Sequence, residues 1–243
     1  MPRETKAELK KRAALIIKRL QKAFPEAGTA LDHRSPVQLL VATILSAQCT
    51  DTRVNKVTPS LFARFPTAAD LAGADRGELE EIIRSTGFFR NKAKSIQGAT
   101  QKIVQDFGGK VPETMEELLR LPGVARKTAN VVLGNGFGKA AGVVVDTHVF
   151  RLSHRLGLSK GKNPQQVEKD LMEIVPKKEW IGLGNRLIYH GRATCLARKP
   201  RCETCMLESL CPRIGVKQTA ASSSRRPTTP RRPLRERIQG SRR

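Results

Sequence analysis

Apolar residues recur with a helical period from residue 6 to about residue 210, and no other feature constrains the fold of this chain so strongly. Ser35-Pro36 reads as N-cap and first helical residue, with Val37, Leu40, Val41, Ile44 and Leu45 forming an apolar stripe behind it. Further helical stretches are expected at 52–62, 76–85, 92–107, 114–120, 126–133, 147–156, 164–175 and 180–189. The one β-branched run, residues 143–145, is too short to argue for a sheet. The fold class is therefore all-α. Aromatic residues make up 4% of the chain, so its core must rest on Leu, Ile, Val and Ala.

Residues 80–96 (EEIIRSTGFFRNKAKSI) return as residues 116–132 (EELLRLPGVARKTANVV). Both copies read as helix, tight glycine turn, helix. Two copies are too few for a solenoid, so this is a duplicated hairpin inside one domain. Asn91 stands where the second copy has Lys127. In the second copy Pro122 and Gly123 make the turn. The following helix then offers unpaired backbone N–H groups near Gly123, Val124 and Ala125, beside Arg126 and Lys127. Such a place suits a phosphate oxygen, and such a hairpin grips a nucleic-acid backbone without reading bases.

The charge balance points the same way. Lys and Arg number 45 against 22 Asp and Glu, a formal net charge of +23. From residue 212 onward ten basic residues face one acidic one, yet the remainder is still strongly basic, so a basic tail alone does not explain the excess. A field of this sign attracts phosphate polyanions. No run of about 18 apolar residues exists, and the first 24 residues read as an amphipathic helix, not an export signal. A cytoplasmic, nucleoid-associated, monomeric protein without a membrane partner is the expectation. Residues 215–243, rich in Ser, Thr, Pro and Arg, read as a disordered basic tail.

Cys195, Cys202, Cys205 and Cys211 lie within 17 residues, in the spacing C-x6-C-x2-C-x5-C. Four thiolates in one short loop fit either a cubane iron–sulfur cluster or tetrahedral zinc. Either would staple the loop structurally and aim Arg198, Lys199 and Arg201 at phosphates. Cys49 reads as a small buried hydrophobe. Asp146 sits at a helix N-cap, where a carboxylate needs no further purpose, and His148 reads as structural. The run Gly134-Asn135-Gly136-Phe137-Gly138-Lys139 lacks the spacing of a Walker motif, and Ala140 follows its Lys.

Taken together, LSAQCTDTRVNKV, LPGVARKTA, VDTHVFR and HGRATCLARKPRCETCMLESLC resemble the endonuclease III family of helix-hairpin-helix DNA glycosylases and AP lyases, over roughly residues 5–212. The resemblance implies that Lys127 is the catalytic lysine and Asp146 the catalytic aspartate. It also implies that Cys195, Cys202, Cys205 and Cys211 hold a [4Fe–4S] cluster. Gln48 corresponds to the glutamine that enters the space left by an extruded base, with the Phe88 region beside it. Phe88 and Phe89 replace an expected aliphatic-aromatic wedge, and the segment from Lys127 to Asp146 is a residue longer than expected.

The implied fold has two helical domains with the DNA cleft between them. A six-helix barrel spans 29–139, with the hairpin at about 114–133. Residues 1–28 and 140–214 form a domain carrying the cluster loop, 195–211. The implied substrate is duplex DNA containing damaged pyrimidines or abasic sites. The nucleophilic form of Lys127 is the uncharged amine, favoured by desolvation and by positive neighbours such as Arg126 and the helix N-terminus. A carboxylate does not favour it, so Asp146 is expected to transfer protons and stabilise the cationic sugar. Two rival readings exist: an adenine-specific mismatch glycosylase, which generally lacks the lysine, and a non-catalytic DNA-binding module.

Overall fold

The helix starts follow from the residues able to cap them. In a computed structural model, which describes residues 4–216, Ser35 accepts a hydrogen bond from the Gln38 N–H and Thr50 from that of Arg53. Asn163 accepts from Gln166, ahead of Pro164 at the first helical position. Among the described residues the chain forms eleven α-helices and no strand, as the periodicity requires. They are α1 (Lys6–Ala23), α2 (Pro36–Leu45), α3 (Asp51–Arg64), α4 (Ala68–Ala72), α5 (Arg76–Ile83), α6 (Phe89–Phe107), α7 (Met115–Leu118), α8 (Arg126–Val131), α9 (Thr147–Arg155), α10 (Pro164–Ile174) and α11 (Trp180–Ala193). The apolar pattern does not announce α4, which is too short to carry a stripe. A capping box between Thr67 and Asp70 makes it instead.

Buried apolar side chains gather in two clusters. One runs from Leu31 to Leu133 and is built by α2 to α8. The other joins Ala13, Ile16, Ile17 and Leu20 of α1 to α9, α10, α11 and Leu207. The N-terminal helix thus packs with the C-terminal third of the chain. Arg12 reinforces this by donating to the carbonyls of Leu156, at 2.6 Å, and Leu210, at 3.1 Å.

A buried carboxylate stitches the two clusters. Glu168 on α10 accepts from Arg126 at 2.7 and 3.1 Å and from Asn130 at 2.8 Å, both on α8. Gly142 leaves room for it, because a Cβ there would lie 2.0 Å from the Glu168 Oε1. The glycine-rich run is packed as well. Residues 132–136 make one π turn, with Gly134 against Ile181 and Gly136 against Leu39. No described helix is long and apolar enough to cross a membrane. From residue 217 on, the basic tail expected over 215–243 lies outside the described residues.

Candidate active site and cysteine cavity

The second hairpin copy is α7, a turn, and α8. Gly123 takes φ +75°, and a Cβ there would sit 2.5 Å from the Ser95 Cβ, so the turn is pressed onto α6 as only glycine allows. Gly87, its counterpart in the first copy, takes φ +70°. The duplication seen in the sequence is thus a duplication of turn geometry. Leu121 and Val124 are buried and anchor the turn, whereas Pro122, Gly123 and Ala125 are exposed. Contrary to the expectation for Val124, its N–H is not free for a phosphate, because it donates to the Leu121 carbonyl at 3.1 Å. No side chain caps the first turn of α8.

Lys127, the second residue of α8, is exposed and lines a pocket of about 580 Å³. Asp146, N-cap of α9, lines the same pocket from the other cluster. Asp51, Asn135, Asn185, Tyr189 and Arg192 are among its other polar lining residues. The Asp146 Oδ1 accepts from the N–H groups of His148 and Val149, each at 2.8 Å, so both capping bonds fall on one oxygen. The expected capping role is real. Arg192 pairs with Asp51 at 2.6 Å, tying α11 to α3 at the pocket edge.

One expectation needs correction. Arg126 does not stand as an uncompensated positive neighbour of Lys127, because Glu168 engages its guanidinium through two hydrogen bonds. The reason is that the first turn of α8 faces α10. Arg126 thereby fixes α8 in place. His148 keeps a structural position, its Nδ1 3.2 Å from Arg151 Nη2, and burial lowers its pKa while Asp146 opposes the shift.

Gln48 and Phe88 meet elsewhere. Both line a pocket of about 660 Å³ together with Asn91, Lys92, Ser95, Gly123 and Thr128, beside the hairpin turn. Both are exposed, and both adopt left-handed backbone, with φ of 52° and 48°. The two phenylalanines are not equivalent. Phe89 packs against the core with Arg84 and Arg90 over its ring at 5.7 and 5.2 Å, leaving Phe88 as the bare one, 64% exposed.

No disulfide joins the four clustered cysteines to one another or to Cys49, which is half-buried and packed against the first core cluster. Cys195, Cys202, Cys205 and Cys211 line one cavity of about 420 Å³ with Leu152, Leu156, Leu207 and His190. Burial pushes the Cys205 and Cys211 thiols up, and the other cysteines push them the same way. Burial also holds His190 down at about 4, so the imidazole beside Cys205 is neutral. Donors face the sulfurs: Arg155 Nη1 lies 3.3 Å from the Cys195 Sγ, the Leu207 N–H donates to Cys205 and the Arg213 N–H to Cys211, both at 3.4 Å. Among the described residues no three His, Cys, Asp or Glu side chains converge so that one metal ion would fit. Arg198, Lys199 and Arg201 are exposed on this loop, Lys199 at φ +50°.

A helix-hairpin-helix thus stands beside a pocket walled by Lys127 and Asp146, at the seam of two helical cores. In keeping with that, residues 41–177 match the HhH-GPD superfamily base excision DNA repair protein family. The chain is 62% identical over 206 residues to endonuclease III of Synechocystis, covering 85% of this chain and 94% of that one. It is 48% identical to endonuclease III of Bacillus subtilis, covering 80% and 89%. A trapped covalent endonuclease III–DNA intermediate, an estranged-adenine complex, superposes with a TM-score of 0.80 at 44% identity, covering 84% of this chain and 96% of that one. The chain belongs to the endonuclease III family.

Asp51, Asn185, Tyr189 and Arg192 were not singled out from the sequence. Asp51 opens α3, while Asn185, Tyr189 and Arg192 follow one another at helical spacing on α11, a polar stripe that could have pointed to them.

Proposed function

We propose that Lys127 and Asp146 are the working pair of the glycosylase and AP lyase activity that membership of the endonuclease III family gives this chain. The observation that carries the reading is that both side chains line one pocket at the seam of the two cores. The trapped covalent DNA intermediate of a 44%-identical relative supports it. A damaged pyrimidine must leave the base stack to be reached. The exposed hairpin turn takes backbone phosphates through Gly123 and Ala125, while Arg198, Lys199 and Arg201 take others from the cysteine loop. Gln48 and Phe88 fill the void.

The uncharged Lys127 amine then bonds to C1′ of the deoxyribose as the glycosidic bond breaks and its electron pair leaves with the base. The nitrogen loses a proton and the sugar ring opens, giving an imine. That imine acidifies C2′. Loss of a C2′ proton with departure of the 3′ phosphate cuts the strand 3′ to the lesion. Asp146 moves the protons and stabilises the cationic sugar-like transition state. Such work on chromosomal DNA places the protein at the nucleoid. Residues 29–139, and 1–28 with 140–214, serve as the two domains flanking the cleft.

A duplex carrying one abasic site tests this directly. The wild-type chain is expected to cut it 3′ to the site without added metal. A bound but uncut duplex would leave only a DNA-binding module.

The cysteine cavity suits a [4Fe–4S] cluster, because four thiols line one cavity and meet N–H donors. Cys195, Cys202, Cys205 and Cys211 are its ligands. When bound, the cluster would supply four iron–thiolate bonds that close residues 195–211, the loop carrying Arg198, Lys199 and Arg201, on itself just after α11. Chemical analysis of purified protein should give about four iron and about four sulfide per chain, with a brown colour. One zinc and no sulfide would remove the cluster from this account.

A further inference from the structure

Lys92 is 5% exposed, and its ammonium has two hydrogen-bond partners, both of them backbone carbonyls. Its Nζ donates to the Leu45 oxygen at 2.7 Å and to the Thr86 oxygen at 2.8 Å. Leu45 closes α2, and Thr86 ends the single 3-10 turn after α5. Each carbonyl lies at a C-terminal end of helical backbone, where a positive charge is favoured. Burial lowers the pKa of Lys92, and the Cys49 thiol opposes that only in part. A buried ammonium costs free energy, and here no carboxylate offsets it. Such a group is retained where it holds something.

What it holds is specific. Three residues beyond Leu45 is Gln48, and two residues beyond Thr86 is Phe88. These are two of the four non-glycine residues with positive φ among the described residues. Each such residue costs about 1–2 kcal/mol and persists only where its surroundings over-determine it. The same pocket is lined by Gln48, Phe88, Lys92 and Gly123. One buried cation therefore fixes the spacing of two strained, exposed side chains next to the hairpin turn.

We propose that Lys92 is a positioning residue for base extrusion, setting the distance between Gln48 and Phe88 so that both enter the gap opened in the duplex. This rests on the void-filling role given to those two residues under the proposed function. Extrusion is needed when a paired base must be displaced, whereas a preformed abasic site has no base to displace. A defect in Lys92 must therefore separate the two substrates.

The test measures single-turnover cleavage of two duplexes, one with 5-hydroxyuracil and one with an abasic site, alongside the melting temperature of each protein. In Lys92→Met both carbonyls lose their partner; Lys92→Gln is a shorter, neutral donor that cannot span both. Either variant is expected to act about tenfold more slowly on 5-hydroxyuracil, with abasic-site cleavage within about threefold of wild type, the size of effect that small misplacements produce. Equal slowing of both substrates in a folded variant, or no slowing, overturns the proposal. So does failure of both variants to fold, which assigns Lys92 to stability alone. If the wild-type chain cuts neither duplex, it is the proposed function that falls.

Discussion

Replacing Lys127 by Gln is expected to abolish the borohydride-trappable adduct between this protein and a damaged duplex. Affinity for abasic-site DNA should stay within about tenfold, or about 1.4 kcal/mol. The two outcomes separate because the residue has one task in chemistry and little in binding or folding. Lys127 is exposed, at the second position of α8, and makes none of the bonds that stitch α8 to α10; those belong to Arg126 and Asn130. Its removal leaves the hairpin turn, held by Gly123 against Ser95, in place. Glutamine keeps a polar chain of similar length but cannot form an imine. Gel analysis after borohydride reduction measures the adduct, and a filter or anisotropy titration measures affinity. Undiminished trapping would mean that another amine is the nucleophile.

The second large effect concerns Asp146 and separates its two roles. Asp146→Asn is expected to slow single-turnover base release by about 100-fold or more while leaving the melting temperature almost unchanged. Asn is as good an N-cap as Asp. Its side-chain oxygen can take the bonds that Oδ1 now accepts from His148 and Val149. It carries no charge and accepts no proton at neutral pH, and those losses are worth about 10²–10⁴ in rate. If the variant melts much lower and retains its rate, Asp146 is a cap and nothing more.

Much of this architecture could be read from local pattern. The caps at Ser35, Thr50 and Asn163, the helical period and the paired glycine turns act over a few residues, so the sequence displays them directly. The cysteine spacing is equally local. The pocket wall was not legible as a whole, since Asp51 meets Tyr189 and Arg192 only after α3 and α11 have packed around the seam. Arg126 was misjudged for the same reason: its partner is 42 positions away. Even so, two long-range features leave a local trace. Glu168 lies beside Val167 and Leu171 in the apolar stripe of α10, and Lys92 stands one helical turn before Ile96 in that of α6. A charged residue where the period calls for an apolar one marks a buried interaction whose partner must then be sought in space.

The two cores differ in how they relate to the order of synthesis. Every member of the first comes from one continuous stretch, Leu31 to Leu133, so it can close while the ribosome is still making the remainder. The second requires α1, made near the start, to wait for segments 143–207. The apolar face of α1 therefore stays open to chaperones and to proteases through most of translation. The thiol-lined compartment, which packs into the second core, can close only after the first core's segment has been made.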